Sequence, residues 1–106
     1  MATGRLGASA LTASTNATVY EVPADTFSVV TVNITNRNAA DRQIRLALAS
    51  ADTPDNSEYL EYDTTLLGNG VLEKSGVVMD AGKKIVAYAN GTEVNVVIYG
   101  IETATA

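Results

Sequence analysis

Cysteine and histidine are both absent from the 106 residues. Without cysteine there is no disulfide, no zinc–thiolate centre and no thiol nucleophile. Without histidine the commonest general base and the commonest transition-metal ligand are missing. A Ser or Thr nucleophile would have to lean on Lys74, Lys83 or Lys84, and turn lysines are normally solvated and protonated. Positive charge is scarce too: seven Lys and Arg stand against twelve Asp and Glu, a formal net charge of −5. Nucleic acid is therefore not an expected partner, because displacing counterions from phosphates takes clustered Lys and Arg. An anionic membrane surface is disfavoured for the same reason. No apolar run is long enough to cross a bilayer. Residues 1–10 hold one Arg and no apolar centre, which is not the pattern of a secretory signal. Trp is missing and Phe occurs once, so aromatic platforms for sugar are few. These absences predict a chain that is not an enzyme and needs no cofactor.

What is present points to sheet. The length suits one domain, able to bury roughly two-thirds of its unfolded surface. Hydrophobic residues are 46% of the chain, a globular share that argues against disorder. They are mostly Val, Ile, Leu and Ala, alongside abundant Thr. β-Branched side chains fit a pleated surface and are stiff in helices.

Alternation then places the strands. In 27–35 (FSVVTVNIT) Val30, Val32 and Ile34 fall on one face and Thr31, Asn33 and Thr35 on the other, the period of a half-buried strand. In 42–48 Ile44, Leu46 and Leu48 point in while Gln43 and Arg45 point out. The turn-rich stretch 36–41 between them predicts an antiparallel hairpin. A short strand over 18–22 ends at Pro23, and another over 58–62 puts Leu60 and Tyr62 on one face. Residues 71–79 read as one strand with a bulge at Ser75-Gly76. Asn90-Gly91, between 85–89 and 94–101, is the strongest short hairpin signal. The last strand, VNVVIYGI, is apolar on both alternations, as for a strand covered on both sides. About seven to eight strands with no helical stripe predict an all-β fold, an antiparallel sandwich of Ig-like or jelly-roll-like type. Residues 1–15 read as an N-terminal arm or weak edge strand, and 16–106 as a single sandwich domain.

Candidate chemistry is thin. Asp52, Asp55, Glu58, Glu61 and Asp63 are clustered, and Asp52, Asp55 and Glu58 are weak calcium candidates by virtue of their hard oxygens. The loop lacks EF-hand order, so a solvated acidic loop is the plainer expectation. Nothing marks two carboxyls flanking a cleft, as glycosidases need. Asn16, Asn33 and Asn90 match glycosylation sequons, which fit chance in an Asn- and Thr-rich chain. Of the five tyrosines, Tyr62 and Tyr99 are expected in the core. Tyr59, sharing an outward face with Glu61, is the expected contact residue.

The run Val19-Tyr20, Val22-Pro23, Val32-Asn33-Ile34, Asn36-Arg37 and Ile44-Arg45-Leu46-Ala47-Leu48, followed by Asp80-Ala81-Gly82-Lys83-Lys84, resembles small virion structural proteins of tailed bacteriophages, cyanophage-like ones above all. The resemblance extends from Thr18 to Ile101 through sandwich motifs, none of them catalytic. It implies a capsid decoration or cement protein in the virion, made in the host cytoplasm and bound to phage coat protein or other virion proteins. By the same analogy it implies a homo-oligomer, a trimer. Docking is expected through the arm, with Arg5, Leu6 and Leu11 as partner-binding residues beside Tyr59, by adding main-chain hydrogen bonds to a neighbour's strand. The alternatives are a tail, neck or fibre component, and a soluble carbohydrate- or surface-binding module.

Overall fold

The computed structural model describes residues 3–105. Its elements are β1 (Thr3–Ala10), β2 (Ala17–Glu21), β3 (Thr26–Asn36), β4 (Arg42–Ala49), a single 3-10 turn (Asn56–Glu58), β5 (Tyr59–Leu66), β6 (Val71–Met79), β7 (Lys84–Ala89) and β8 (Val94–Ala104). The strands form two antiparallel four-stranded sheets: sheet A in the order β1-β8-β3-β6 and sheet B in the order β2-β7-β4-β5. This is the all-β sandwich that the alternation predicts. Successive strands change sheet at every step except β4 to β5, which is the jelly-roll order, two Greek keys wrapped as a double layer.

The inner faces meet as expected. Val30, Val32 and Ile34 of β3 and Ile44 and Leu46 of β4 are fully buried. They pack with Val94, Val96 and Ile98 of β8 in one continuous core. Deleting the side chain of a residue such as Leu46 would cost about 2–5 kcal/mol at this density of packing.

Both predicted hairpins turn out to be corners between sheets. β3 and β4 lie in different sheets, and so do β7 and β8. Asn36 makes the first corner. Its buried side-chain amide donates to the carbonyls of Ala40 (2.9 Å), Leu66 and Leu67 (both 3.2 Å), and its oxygen accepts from the Asn38 N–H (3.0 Å). One side chain thus ties the 36–41 crossing to the end of β5. At the second corner Asn90 pairs sideways with β4: its N–H donates to Gln43 O (3.0 Å) and its side-chain oxygen accepts from Gln43 N–H (2.9 Å). The positive φ there belongs to Glu93 (67°), not to Asn90 or Gly91, so the tight primed turn that Asn-Gly favours is not formed. At Gly91 the Arg42 guanidinium lies where a Cβ would stand, so any side chain there would have to displace that arginine.

Residues 1–15 do not form an arm apart from the domain. β1 pairs with β8 along its length, and Leu11 donates its N–H to Val94 O (2.8 Å) and is buried in the core. Without β1, β8 would expose a row of unpaired N–H and C=O groups. Met1 and Ala2 lie outside the described residues.

All four edge strands are irregular. Register shifts interrupt the ladders of β1, β2, β5 and β6, and the one in β6 falls at Ser75-Gly76, where Gly76 has a φ of 68°. Bulges of this kind break the template that another strand would need. The expectation of docking by strand addition therefore loses its structural basis: neither the arm nor a regular edge is on offer.

Candidate functional site

The two outer faces of the sandwich differ in kind. That of sheet B is closed by its own loop. Residues 50–58 fold back over it, burying Ala47, Ala49 and Val86 beneath Tyr59. Asp52 fastens the loop by accepting from the Thr18 hydroxyl (2.6 Å) and the Lys84 ammonium (3.0 Å). Glu58 accepts from the N–H groups of Ser50 (3.0 Å) and Asp55 (2.8 Å), and Asp55 accepts from the Ser57 hydroxyl (2.8 Å). These bonds stabilise the charged forms. Asp52 is held below the ordinary carboxylate range by Thr18 and then Lys84, Asp55 by Ser57, and Glu58 by the Asp55 backbone.

The calcium reading of Asp52, Asp55 and Glu58 is corrected by this arrangement. Each carboxylate serves a separate loop contact, and among the described residues no three acidic side chains gather where an ion could be held. Lys84 occupies one of the oxygens that calcium would need.

Farther along the same face Arg45 lies between two rings, 4.3 Å from the centroid of Tyr62 and 4.6 Å from that of Tyr88. It also pairs with Asp63 (2.6 Å), whose hydrogen bond raises the guanidinium pKa further. Tyr59 meets Tyr62 edge-to-face at 4.8 Å, and a shallow hollow is lined by Asn56, Tyr59 and Tyr62. Tyr62 is thus exposed rather than in the core, at 56%. The cause is the bulge of β5 at Asp63, whose φ is 51°. It turns Asp63 outward to Arg45 while Glu61 reaches Lys74 of sheet A. Glu61 consequently shares a face neither with Asp63 nor with the half-buried Tyr59.

The outer face of sheet A is open. Rows of residues paired in register cross it. Val29 of β3 is opposite Val78 of β6 on one side and Ile101 of β8 on the other, and all three are exposed (41%, 65% and 56%). Phe27 and Tyr99 flank the row and are also exposed. Antiparallel sheets usually turn polar residues to solvent. Here the strand positions of the face carry two charges among the described residues, Arg5 on β1 and Glu73 on β6, in a chain with seven basic and twelve acidic residues, and Arg37 reaches one end of the face through Asn95 (3.1 Å). Tyr99, a second tyrosine expected in the core, instead donates its hydroxyl across the face to Glu73 (3.1 Å), which raises its pKa. Loss of charge from a contiguous apolar patch is the compositional mark of an interface core.

The residues expected to bind a partner are dispersed. Arg5 lies exposed on this face, Leu6 packs half-buried against the core, Leu11 is within the core, and Tyr59 is on the opposite side of the molecule. Leu11 is therefore a packing residue. Sequence reasoning did not single out Val29, Val78 or Ile101, although the apolar double alternation of the last strand was a signal for Ile101. β8 is central in its sheet, yet only one of its faces is covered.

No curated protein and no solved structure matches the chain. A protein-family profile described as "Trs120/TRAPPC9, fourth Ig-like domain" matches residues 7–90. The matched stretch runs from within β1 to the end of β7, so it takes in all of sheet B and leaves out β8. By this match over most of its length, on a two-sheet antiparallel sandwich, the chain belongs to the family of Ig-like domains typified by the fourth one of Trs120/TRAPPC9.

Proposed function

We propose that this chain is a bacteriophage virion structural protein, a head decoration or cement protein whose sheet-A face is buried in the assembled particle. The observation that carries this reading is the sidedness of the sandwich. One outer face is fastened down by Asp52 and Glu58 and laced with charge pairs, and the other is apolar and nearly uncharged. A face of the second kind is one that assembly buries, and a face of the first kind is one left to solvent. The sequence resemblance to small virion proteins supports the particle as the setting, and the jelly-roll order recurs in viral capsid domains. The role is non-catalytic. Lys74, Lys83 and Lys84, the bases that a hydroxyl nucleophile would lean on, are each tied to a carboxylate instead.

The test is reconstitution. Purified chain mixed with shells lacking it should co-sediment, and Val29→Asp should abolish co-sedimentation while leaving the melting transition in place. Failure of the wild-type chain to bind any particle component would overturn the reading. Copy number per particle separates head, with hundreds, from tail, neck or fibre, with a handful. A second reading, a carbohydrate- or surface-binding module, is favoured by the hollow at Asn56, Tyr59 and Tyr62. Against it, the Tyr62 ring is already engaged by Arg45 and Tyr59.

A further inference from the structure

The face of sheet A is not only apolar. It is self-complementary about a two-fold axis running parallel to its strands. The β-ladder registers lay it out as rows. One row reads Thr3, Ile101, Val29, Val78 from β1 to β6, and the next reads Arg5, Tyr99, Thr31 and then the Ser75-Gly76 bulge. Turning a second copy over about an axis between β8 and β3 exchanges β1 with β6 and β8 with β3. Ile101 then lies over Val29 of the other copy, Val78 over Thr3, and Tyr99 over Thr31.

The charges follow the same operation. Arg5 and Glu73 are on the two opposite edges of the sheet, and Glu73 is one row farther along. After the rotation Arg5 of each copy arrives over β6 of the other, one row from Glu73. A row step is two residues, about 7 Å, a gap that an arginine and a glutamate side chain together bridge. Arg5, like Arg37 and Arg42, has no ion-pair partner among the described residues, whereas Arg45, Lys74, Lys83 and Lys84 are paired within the chain. The two charged residues at the described strand positions of the face are thus of opposite sign and placed to meet twice.

The size agrees. Four strands at about 4.8 Å spacing, over the nine residues from Phe27 to Thr35 of β3, give a face of about 500 Å². Two such faces bury about 1,000 Å² in all, the lower bound for a specific protein pair. Two twisted sheets stack face to face with strand directions within about 30°, and an axis parallel to the strands brings the sheets together in that aligned class. The pattern of β8, apolar on both alternations, is also that of a strand covered on both sides.

We infer that the occupant of this face is a second copy of the same chain, packed sheet on sheet about a two-fold axis, with Arg5 of each copy paired to Glu73 of the other. This rests on the reading that the face is covered in the assembled particle, and it names what covers it. The pairing is isologous, every contact occurring twice. It replaces the trimer expected by analogy with a dimer as the unit of assembly.

The experiment is sedimentation velocity on the full chain from micromolar to about millimolar concentration. The wild type should show a monomer–dimer equilibrium. Arg5→Glu should weaken the dimer by about tenfold, because two like-charged pairs then face each other. Adding Glu73→Arg in the same chain should restore it. Val29→Asp should leave a monomer, and Ile101→Lys is the second probe should that variant not fold. A chain that is monomeric or trimeric throughout, or a dimer unaffected by Arg5→Glu, overturns the inference. These outcomes are distinct from failure of the virion reading. A monomer that still binds shells through the Val29 face preserves that reading without the dimer. A dimer that binds no particle preserves the dimer without the reading.

Discussion

The Tyr20 hydroxyl donates to Glu102 Oε2 at 2.6 Å, across 82 positions of sequence and from sheet B to sheet A. With the Lys74–Glu61 pair it is a polar tie between two layers joined mainly by apolar contact. Burial, and then this hydrogen bond, push the Tyr20 pKa up to about 12. A tyrosine whose folded pKa exceeds its unfolded value of 10.0 stabilises the fold fully below pH 10, and that contribution is lost as pH rises toward 12. Urea denaturation of the wild type should therefore show falling stability in this alkaline window. Tyr20→Phe should lower stability by about 1–3 kcal/mol at neutral pH and flatten the alkaline decline.

Asn36→Ala should be among the most damaging single polar substitutions. It leaves the Ala40, Leu66 and Leu67 carbonyls without their shared donor at a buried corner. The expected loss is about 2–4 kcal/mol, read as a shift of the urea midpoint at unchanged slope. Asn36→Asp should fare little better, since it presents an acceptor to acceptors.

The fold was legible where burial dictates a period of two. Val30 to Ile34 and Ile44 to Leu48 announced their faces because one side meets the core and the other meets water. What failed was the step from strands to neighbours. A turn such as Asn90-Gly91 reports that the chain reverses, not whether it returns in its own sheet or crosses to the other. The deciding contacts, Asn90 with Gln43 and Asn36 with Leu66, are far apart in sequence. Tyr62 and Tyr99 were misplaced for local reasons. A bulge at Asp63 resets the alternation of β5, and a ring pattern cannot say which side of a central strand is covered. The site was half-legible: β8 declared an excess of apolar residues, but which partners in β3 and β6 completed the row depended on register.

Ser28→Ala should be neutral or stabilising by up to about 1 kcal/mol. The Ser28 hydroxyl is fully buried and, although near the Tyr20 oxygen, makes no hydrogen bond of acceptable geometry. Removing it relieves a desolvated polar group and leaves the Tyr20–Glu102 bond in place. A thermal melt comparing the two chains checks this.

Acid should release the loop over sheet B before the core gives way. Asp52, Asp55 and Glu58 all have lowered pKa values. Their contribution is present above the ordinary carboxylate range and is lost as pH falls through the lowered values. Amide exchange at Ser50 and Asp55 should accelerate below about pH 4 while that of Ile44 and Ile98 stays slow. Asp52→Asn should loosen the loop already at neutral pH. Added calcium or a chelator should leave the melting temperature unchanged.

The alternation of strands between sheets has a consequence for how the molecule comes into being. β8 is the last strand in the chain, yet it lies between β1 and β3, so sheet A has no contiguous middle until β8 arrives. Sheet B is different, since all of its strands precede β8. During synthesis the growing chain can pair β2, β7, β4 and β5, while β1 and β3 wait with a gap between them. Closing such distant ends before contacts reward the closure is slow. Folding is therefore expected to finish only after the ribosome has released residues 94–104, in a late insertion that zips β8 into place. The apolar face on which any partner must land is created in that same step.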